Sequence, residues 1–211
     1  MPGKKSNRDY LKGRRFAAWG KGTPNILLGV SGGVAAYKAV DLASKLTGAG
    51  AKVNTIMTES ACQLICPKSF EAVTGQPVYT SLWSTSEEYK TGHVSLADWA
   101  DIVAVVPATA NIIGKIANGI CDDLLSTTLC VCWPLIKTGA AILAPAMNDN
   151  MWKNPAVQRN VETIKEMGFQ LIGPVEGRLA CGTEGIGRMS EPREILEAIG
   201  KIASKIKHKK K

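Results

Sequence analysis

Hydrophobic residues in this chain fall into short unbroken runs separated by stretches of helical periodicity. Asn25-Ile-Leu-Leu-Gly-Val30 is the first such run. A Ser31-Gly-Gly33 turn follows, and then Val34 to Leu46, where Val34, Ala35, Ala39, Leu42, Ala43 and Leu46 recur at the spacing of one helix face. The alternation continues along the chain. Lys52–Met57, Asp101–Val106, Ala141–Ala144 and Gln170–Ile172 are predicted strands, and helices are predicted near Pro67–Thr74, Asn111–Ala117, Leu124–Cys132 and Pro155–Met167. A last helix, from Pro192 to about Lys207, has proline in its first turn and Ile195, Leu196, Ile199, Ile202 and Ile206 on one side.

Strands that lack polar alternation must be covered on both faces, and strands separated by helices pair in parallel. We therefore expect an α/β fold, a single doubly wound parallel sheet of the Rossmann-like kind over residues 25–207, with ligands beyond the carboxyl ends of the strands.

Composition adds exclusions. The 211 residues are 45% apolar and 21% charged, enough for a sizeable core without disulfide staples. The six cysteines lie mostly in apolar runs, no secretory leader pattern precedes them, and no apolar run approaches membrane-spanning length, so a cytoplasmic protein off the membrane is expected. The net charge of +8 is a property of the ends. Residues 1–24 carry seven Lys/Arg against one Asp and residues 201–211 six Lys against none, +12 together, which leaves −4 for residues 25–200. The basic segment 1–24 and the Lys-rich 208–211 are expected to be solvated, disordered tails. The fold itself offers no nucleic-acid platform. Nor is a metal expected: Cys62-x3-Cys66 and Cys130-x-Cys132 fall in helical runs, and histidines are scarce.

Candidate chemistry gathers at the strand ends. Gly29-Val-Ser-Gly-Gly-Val34 opens a helix, so its backbone N–H groups could hold a phosphate, with the Ser31 hydroxyl as a further donor. It has neither the Gly-Lys-Ser/Thr ending of a triphosphate loop nor Gly-x-Gly-x-x-Gly spacing. Met57-Thr-Glu-Ser60 puts the hydroxyls of Thr58 and Ser60 around Glu59 where a dinucleotide site wants an acid, which suits a mononucleotide phosphate. The alternative is that the glycines serve only close strand-helix contact. Pro107-Ala-Thr-Ala-Asn111 and Leu143-Ala-Pro-Ala-Met-Asn-Asp-Asn-Met-Trp152 end two further strands, and Gly177-Arg-Leu-Ala-Cys-Gly-Thr-Glu-Gly185 follows.

Three side chains there could do chemistry. His93 stands before a short apolar helix and is the natural base at neutral pH, or else a capping or packing residue. Asn148 can orient a carboxylate without neutralising it as arginine would, or it supports its own turn. Cys181 lies among Gly177, Gly182, Gly185 and Gly187, in a loop expected to be mobile and able to close over a substrate; the plainer reading is a passive thiol.

Taken in order over roughly residues 25–200, these motifs resemble the homo-oligomeric flavin-containing cysteine decarboxylases, most closely the branch that serves coenzyme A biosynthesis. The resemblance implies FMN as cofactor, held by Gly32, Gly33, Val34, Thr58, Glu59, Ser60, Thr109, Ala110, Asn111 and Ala146 together with Ser31. Thr109 stands where the family has serine, and Ile112 where it has threonine, which loses one hydroxyl. It also implies that His93 is the acid/base group, that Asn148 and Met151 contact substrate, and that Cys181 protonates the late intermediate. The implied reaction turns 4′-phosphopantothenoylcysteine into 4′-phosphopantetheine through hydride transfer to flavin, loss of carbon dioxide from a thioaldehyde, and re-reduction of the enethiol. Relatives acting on peptidyl C-terminal cysteine stop at the enethiol, so Cys181 within Ala-Cys-Gly favours the first branch. A peptidyl-cysteine decarboxylase and a non-enzymatic, phosphatase-binding regulatory relative are the alternatives. Implied partners are further copies of the chain, as a trimer or dodecamer of trimers, and a separate synthetase that makes the substrate; no nucleic acid and no membrane are expected.

Overall fold

The computed structural model describes residues 19, 22–83 and 92–205. In chain order the first half runs β1 (Asn25–Val30), α1 (Ala36–Gly48), β2 (Lys52–Met57), α2 (Glu59–Cys62), α3 (Pro67–Thr74), β3 (Val78–Tyr79), α4 (Gly92–Trp99), β4 (Ile102–Ala108) and α5 (Ala110–Ala117). The second half runs α6 (Leu124–Val131), α7 (Trp133–Ile136), β5 (Ala141–Pro145), α8 (Asp149–Lys153), α9 (Pro155–Glu166), β6 (Gln170–Leu171), β7 (Val175–Arg178), β8 (Glu184–Arg188) and α10 (Pro192–Ala203).

Six strands form one sheet in the order β3-β2-β1-β4-β5-β6, every pair parallel. Successive strands step outward from β1 on one side and from β4 on the other, so the chain reverses direction between these two. That is where a doubly wound sheet opens a crevice at its carboxyl edge. The unbroken apolar runs are explained by the layers. Ile26, Leu28 and Val30 of β1 face α1, α3 and α10, whereas Leu27 faces the side covered by α4, α5, α6 and α9. Residues of β4 and β5 divide between the same two cores. Both faces are dry, and hydrophobic alternation has nothing to mark.

The expected α/β architecture is borne out, with local differences. Helix α1 starts at Ala36, because Gly33 to Ala35 close a turn in which the Ala36 N–H donates to the Gly33 carbonyl at 2.8 Å. Strand β4 runs on to Ala108, carrying the second motif into the sheet. His93 lies inside the first turn of α4 rather than before a helix. The glycine-rich segment expected as a mobile loop is an antiparallel hairpin, β7 with β8, and only the turn between them is irregular. Most of the basic residues, with Ile206 and Lys207 of the last predicted helix, lie outside the described residues. Trp19 is a correction to the disordered-tail expectation: it is buried, and its indole N–H donates to the Ala49 carbonyl at the end of α1. Among the described residues no helix is long and apolar enough to cross a membrane.

Candidate active site

Four segments meet at the crevice, and each is fixed by a local bond that its sequence supplies. The turn after β1 is latched to the end of β4. The Ser31 hydroxyl donates to the Pro107 carbonyl at 2.8 Å and accepts from the Thr109 N–H at 3.1 Å. Ser31 is buried and its one hydroxyl proton is used on Pro107, so its expected role as a phosphate donor is replaced by that of a clasp between two strands 76 residues apart. Behind the turn, a Cβ on Gly32 would stand 2.3 Å from the Ser60 Cβ, so only glycine lets this backbone reach the start of α2. Thr58 and Thr109 cap α2 and α5, accepting from the Ala61 and Ile112 N–H groups at 3.2 and 3.4 Å.

On the opposite side the Ala146 N–H donates to the Ala108 carbonyl at 3.0 Å, which holds the segment after β5 against the end of β4. Asn148 then caps α8 through its side-chain oxygen, which accepts from the Asn150 N–H at 2.9 Å. Its amide nitrogen points elsewhere and donates to the Cys181 Sγ at 3.4 Å. The two readings of Asn148 are therefore both right, for different atoms: the acceptor supports the turn and the donors face the site.

The hairpin closes the site. The Met147 N–H donates to the Gly187 carbonyl at 3.0 Å, and the Ile186 N–H to the Asp149 carboxylate at 3.2 Å. A Cβ on Gly187 would come within 2.1 Å of the Met147 carbonyl oxygen, so this glycine serves close backbone approach, not mobility. The hairpin turn is tied by Leu179 N–H to Thr183 carbonyl at 2.8 Å, with Cys181 exposed at its tip. The Thr183 hydroxyl, 3.1 Å from Sγ, then the Thr183 backbone and the Asn148 amide, hold the Cys181 thiol below its usual range by favouring the thiolate. Cys132 is the contrast: burial first, then Asp98, push its thiol up to about 12.

These segments enclose one open cavity of about 1080 Å³, large enough for two small ligands side by side. Of the fifteen residues singled out from sequence, fourteen line it; His93, half-buried on α4, does not. Sequence reasoning missed several wall residues. Lys115 bridges Asp122 and Asp123, at 2.6 Å each, on one side, and Lys38, Arg178 and Arg188 stand on another. Asp123 had a plainer role legible in advance, as the cap of α6, and it forms a capping box with Ser126.

Residues 20–204 match the family model described as Flavoprotein. This chain belongs to the flavoprotein family. Among curated flavoprotein relatives it is 49% identical over 173 residues to the "Coenzyme A biosynthesis bifunctional protein CoaBC" of Bacillus subtilis (strain 168). That alignment takes in 82% of this chain but 41% of the Bacillus protein, so the chain spans less than half the length of that relative. Two solved flavoproteins superpose on it. One is a cysteine-to-serine mutant of PPC decarboxylase complexed with pantothenoylaminoethenethiol, at a TM-score of 0.73 and 35% identity, covering 84% of this chain and 97% of that one. The other is the FMN binding protein AtHal3, at a TM-score of 0.74 and 34% identity, covering 89% and 100%.

Proposed function

We propose that this flavoprotein binds FMN and decarboxylates 4′-phosphopantothenoylcysteine to 4′-phosphopantetheine. The observation that carries the reading is the meeting of the Asn148 amide and the Cys181 thiol at 3.4 Å in the mouth of the cavity. The solved relatives support it, one holding an enethiol in a cysteine-to-serine mutant and the other named for FMN.

The residues present fit FMN. The Gly32–Gly33 turn, brought against Ser60 with no side chain between, with Thr58, Glu59 and Val34, would hold its phosphate end. Thr109, Ala110, Asn111 and Ala146, mostly small, would take its flat ring system. FMN supplies, when bound, the two-electron acceptor and electron sink that an α-carboxylate beside an unactivated carbon lacks.

The chain's own groups supply the rest. The Asn148 amide, its oxygen engaged at the α8 cap, orients the substrate carboxylate through N–H alone. A neutral donor holds the carboxylate without the ground-state stabilisation that a guanidinium would add to the barrier. His93 takes and returns the proton at the substrate thiol. Cys181, with its thiol acidified by Thr183, gives the proton that turns the enethiolate into the saturated thiol. The hairpin excludes water from that step.

Because His93 does not line the cavity of its own chain, we assign it to the cavity of a neighbouring copy in a homo-oligomer, a trimer or dodecamer of trimers. Val34 and Tyr37, both exposed apolar side chains at the cavity wall, support a contact there. Six free cysteines support a reducing cytoplasm, and a separate synthetase is proposed to supply the substrate. The test is to incubate the purified protein with 4′-phosphopantothenoylcysteine and follow product mass and flavin absorbance. A saturated thiol 44 mass units lighter than the substrate, about the mass of carbon dioxide, with flavin returning to its oxidised form supports the reading. A product two hydrogens lighter still, with bleached flavin, identifies an oxidative peptidyl-type enzyme, and bound flavin without turnover identifies a regulatory binding protein.

A further inference from the structure

Seven charged residues line the cavity: Lys38, Lys115, Arg178 and Arg188 against Glu59, Asp122 and Asp123. They are not mixed. Lys115 is held between Asp122 and Asp123 at 2.6 Å each, which makes that wall net acidic and leaves its only cation engaged. The wall formed by α1 and the hairpin is the reverse. Lys38 Nζ and Arg188 Nη2 converge on one oxygen, Oε1 of Glu191, at 2.8 and 3.3 Å. Glu191 also caps α10, accepting from the Glu194 N–H through its side chain. Arg178 has no ion-pair partner among the described residues, although Glu184 stands opposite it in the hairpin register.

Three cations against the single carboxylate of Glu191 leave this wall two positive charges in excess. Arg188 is also placed by packing: a Cβ on Gly177 would stand 3.3 Å from its Nη1, so the guanidinium lies across the backbone of the residue before Arg178. The two arginines are thereby gathered on one edge of the hairpin, at the opposite end of β7 and β8 from no other charge excess in the cavity.

We propose that Arg178 and Arg188, with Lys38, form the anion subsite that receives the phosphate end of the substrate. The inference rests on the decarboxylase reading, in which the substrate carries a phosphomonoester at the end remote from its cysteine. Such a group bears close to two negative charges at neutral pH, the complement of this wall. Guanidinium groups suit it because their planar donors match phosphate oxygens in pairs. The turn before α1 needs no side-chain cation for its own anion, since backbone N–H groups and the helix terminus serve there. The subsite thus selects between a phosphorylated and an unphosphorylated substrate while Asn148 and Cys181 act at the other end.

The test compares 4′-phosphopantothenoylcysteine with its dephosphorylated counterpart, pantothenoylcysteine, on the flavin-loaded wild type and on Arg178→Gln, Arg188→Gln and Arg188→Lys. The wild type should favour the phosphorylated substrate. Each glutamine variant should lose about tenfold more kcat/KM on the phosphorylated substrate than on the other, through KM, as expected for removing one charged hydrogen-bond donor. Arg188→Lys should recover part of that loss. Calorimetric binding of phosphopantothenate and pantothenate gives a readout independent of turnover and should show the same difference. Equal handling of both substrates by the wild type, or parallel losses on both in the variants, overturns the subsite and leaves the decarboxylase reading standing. Failure of the wild type to turn over either substrate overturns both.

Discussion

The side-chain amide of Asn148 donates to the Cys181 thiol at 3.4 Å, joining the turn after β5 to the tip of a hairpin 33 residues later. In the proposed reaction the first group holds the carboxylate that leaves and the second finishes the product. Replacing the thiol should separate the two events. Cys181→Ser is expected to release carbon dioxide yet accumulate a product two hydrogens lighter than the saturated thiol. Mass spectrometry of the product checks it, and full formation of the saturated thiol by this variant removes Cys181 from the mechanism.

The acidity of Cys181 comes chiefly from Thr183 and should move with it. A group whose folded-state pKa is lowered loses its proton earlier as pH rises. Alkylation of Cys181 should therefore reach half its limiting rate below pH 9.0, the ordinary value, and Thr183→Val should move that midpoint upward. Proton donation by Cys181 fails on the alkaline side of the same midpoint, so the enethiol product should replace the saturated thiol there. Cys132, pushed up to about 12 by burial, should stay unmodified in the folded protein and serves as the internal control.

Two glycines should fail in different ways. A methyl group at Gly32 meets Ser60 at 2.3 Å and forces the first turn away from α2. Gly32→Ala is expected to purify with little or no flavin. A methyl group at Gly187 meets the Met147 carbonyl at 2.1 Å and pushes the hairpin from the Asn148 turn. Gly187→Ala should keep its flavin, and its kcat/KM should fall by at least about a hundredfold, as misplacement of a closing element costs. Flavin content by absorbance together with turnover distinguishes the two.

His93→Asn is expected to fold and keep flavin, since His93 is not part of the cavity wall of its own chain. Loss of an acid/base group lowers the rate by about 10²–10⁴-fold. Mixing His93→Asn with Gly187→Ala under conditions that exchange subunits should restore part of the activity, because each supplies what the other lacks. Absence of any recovery argues for His93 acting within its own chain.

Much of this was legible before any coordinates. The runs at β1 and β4 are apolar throughout because both faces of the sheet are covered, so element type and parallel pairing followed from pattern. The site motifs were legible because a doubly wound sheet leaves only its carboxyl edge for ligands. The hairpin was not. Its glycines read as freedom, yet Gly187 is fixed by contact with Met147, a residue forty positions earlier, and no local pattern encodes that. Ser31 misled for the same reason, since the partner that takes its proton is Pro107 on another strand. Trp19 was grouped with charged neighbours, whereas its burial against Ala49 depends on where α1 ends.

The two-stranded hairpin is separate from the six-stranded sheet and meets the turn after β5 through the Met147–Gly187 and Asp149–Ile186 bonds. Redox capacity and substrate choice are therefore inherited on different stretches of chain. Mutation can rewrite β7 and β8 without touching the clasp between Ser31 and Pro107, and so without loss of the cradle. Lineages built on this plan are free to retarget one chemistry to new thiols by editing a single appendage.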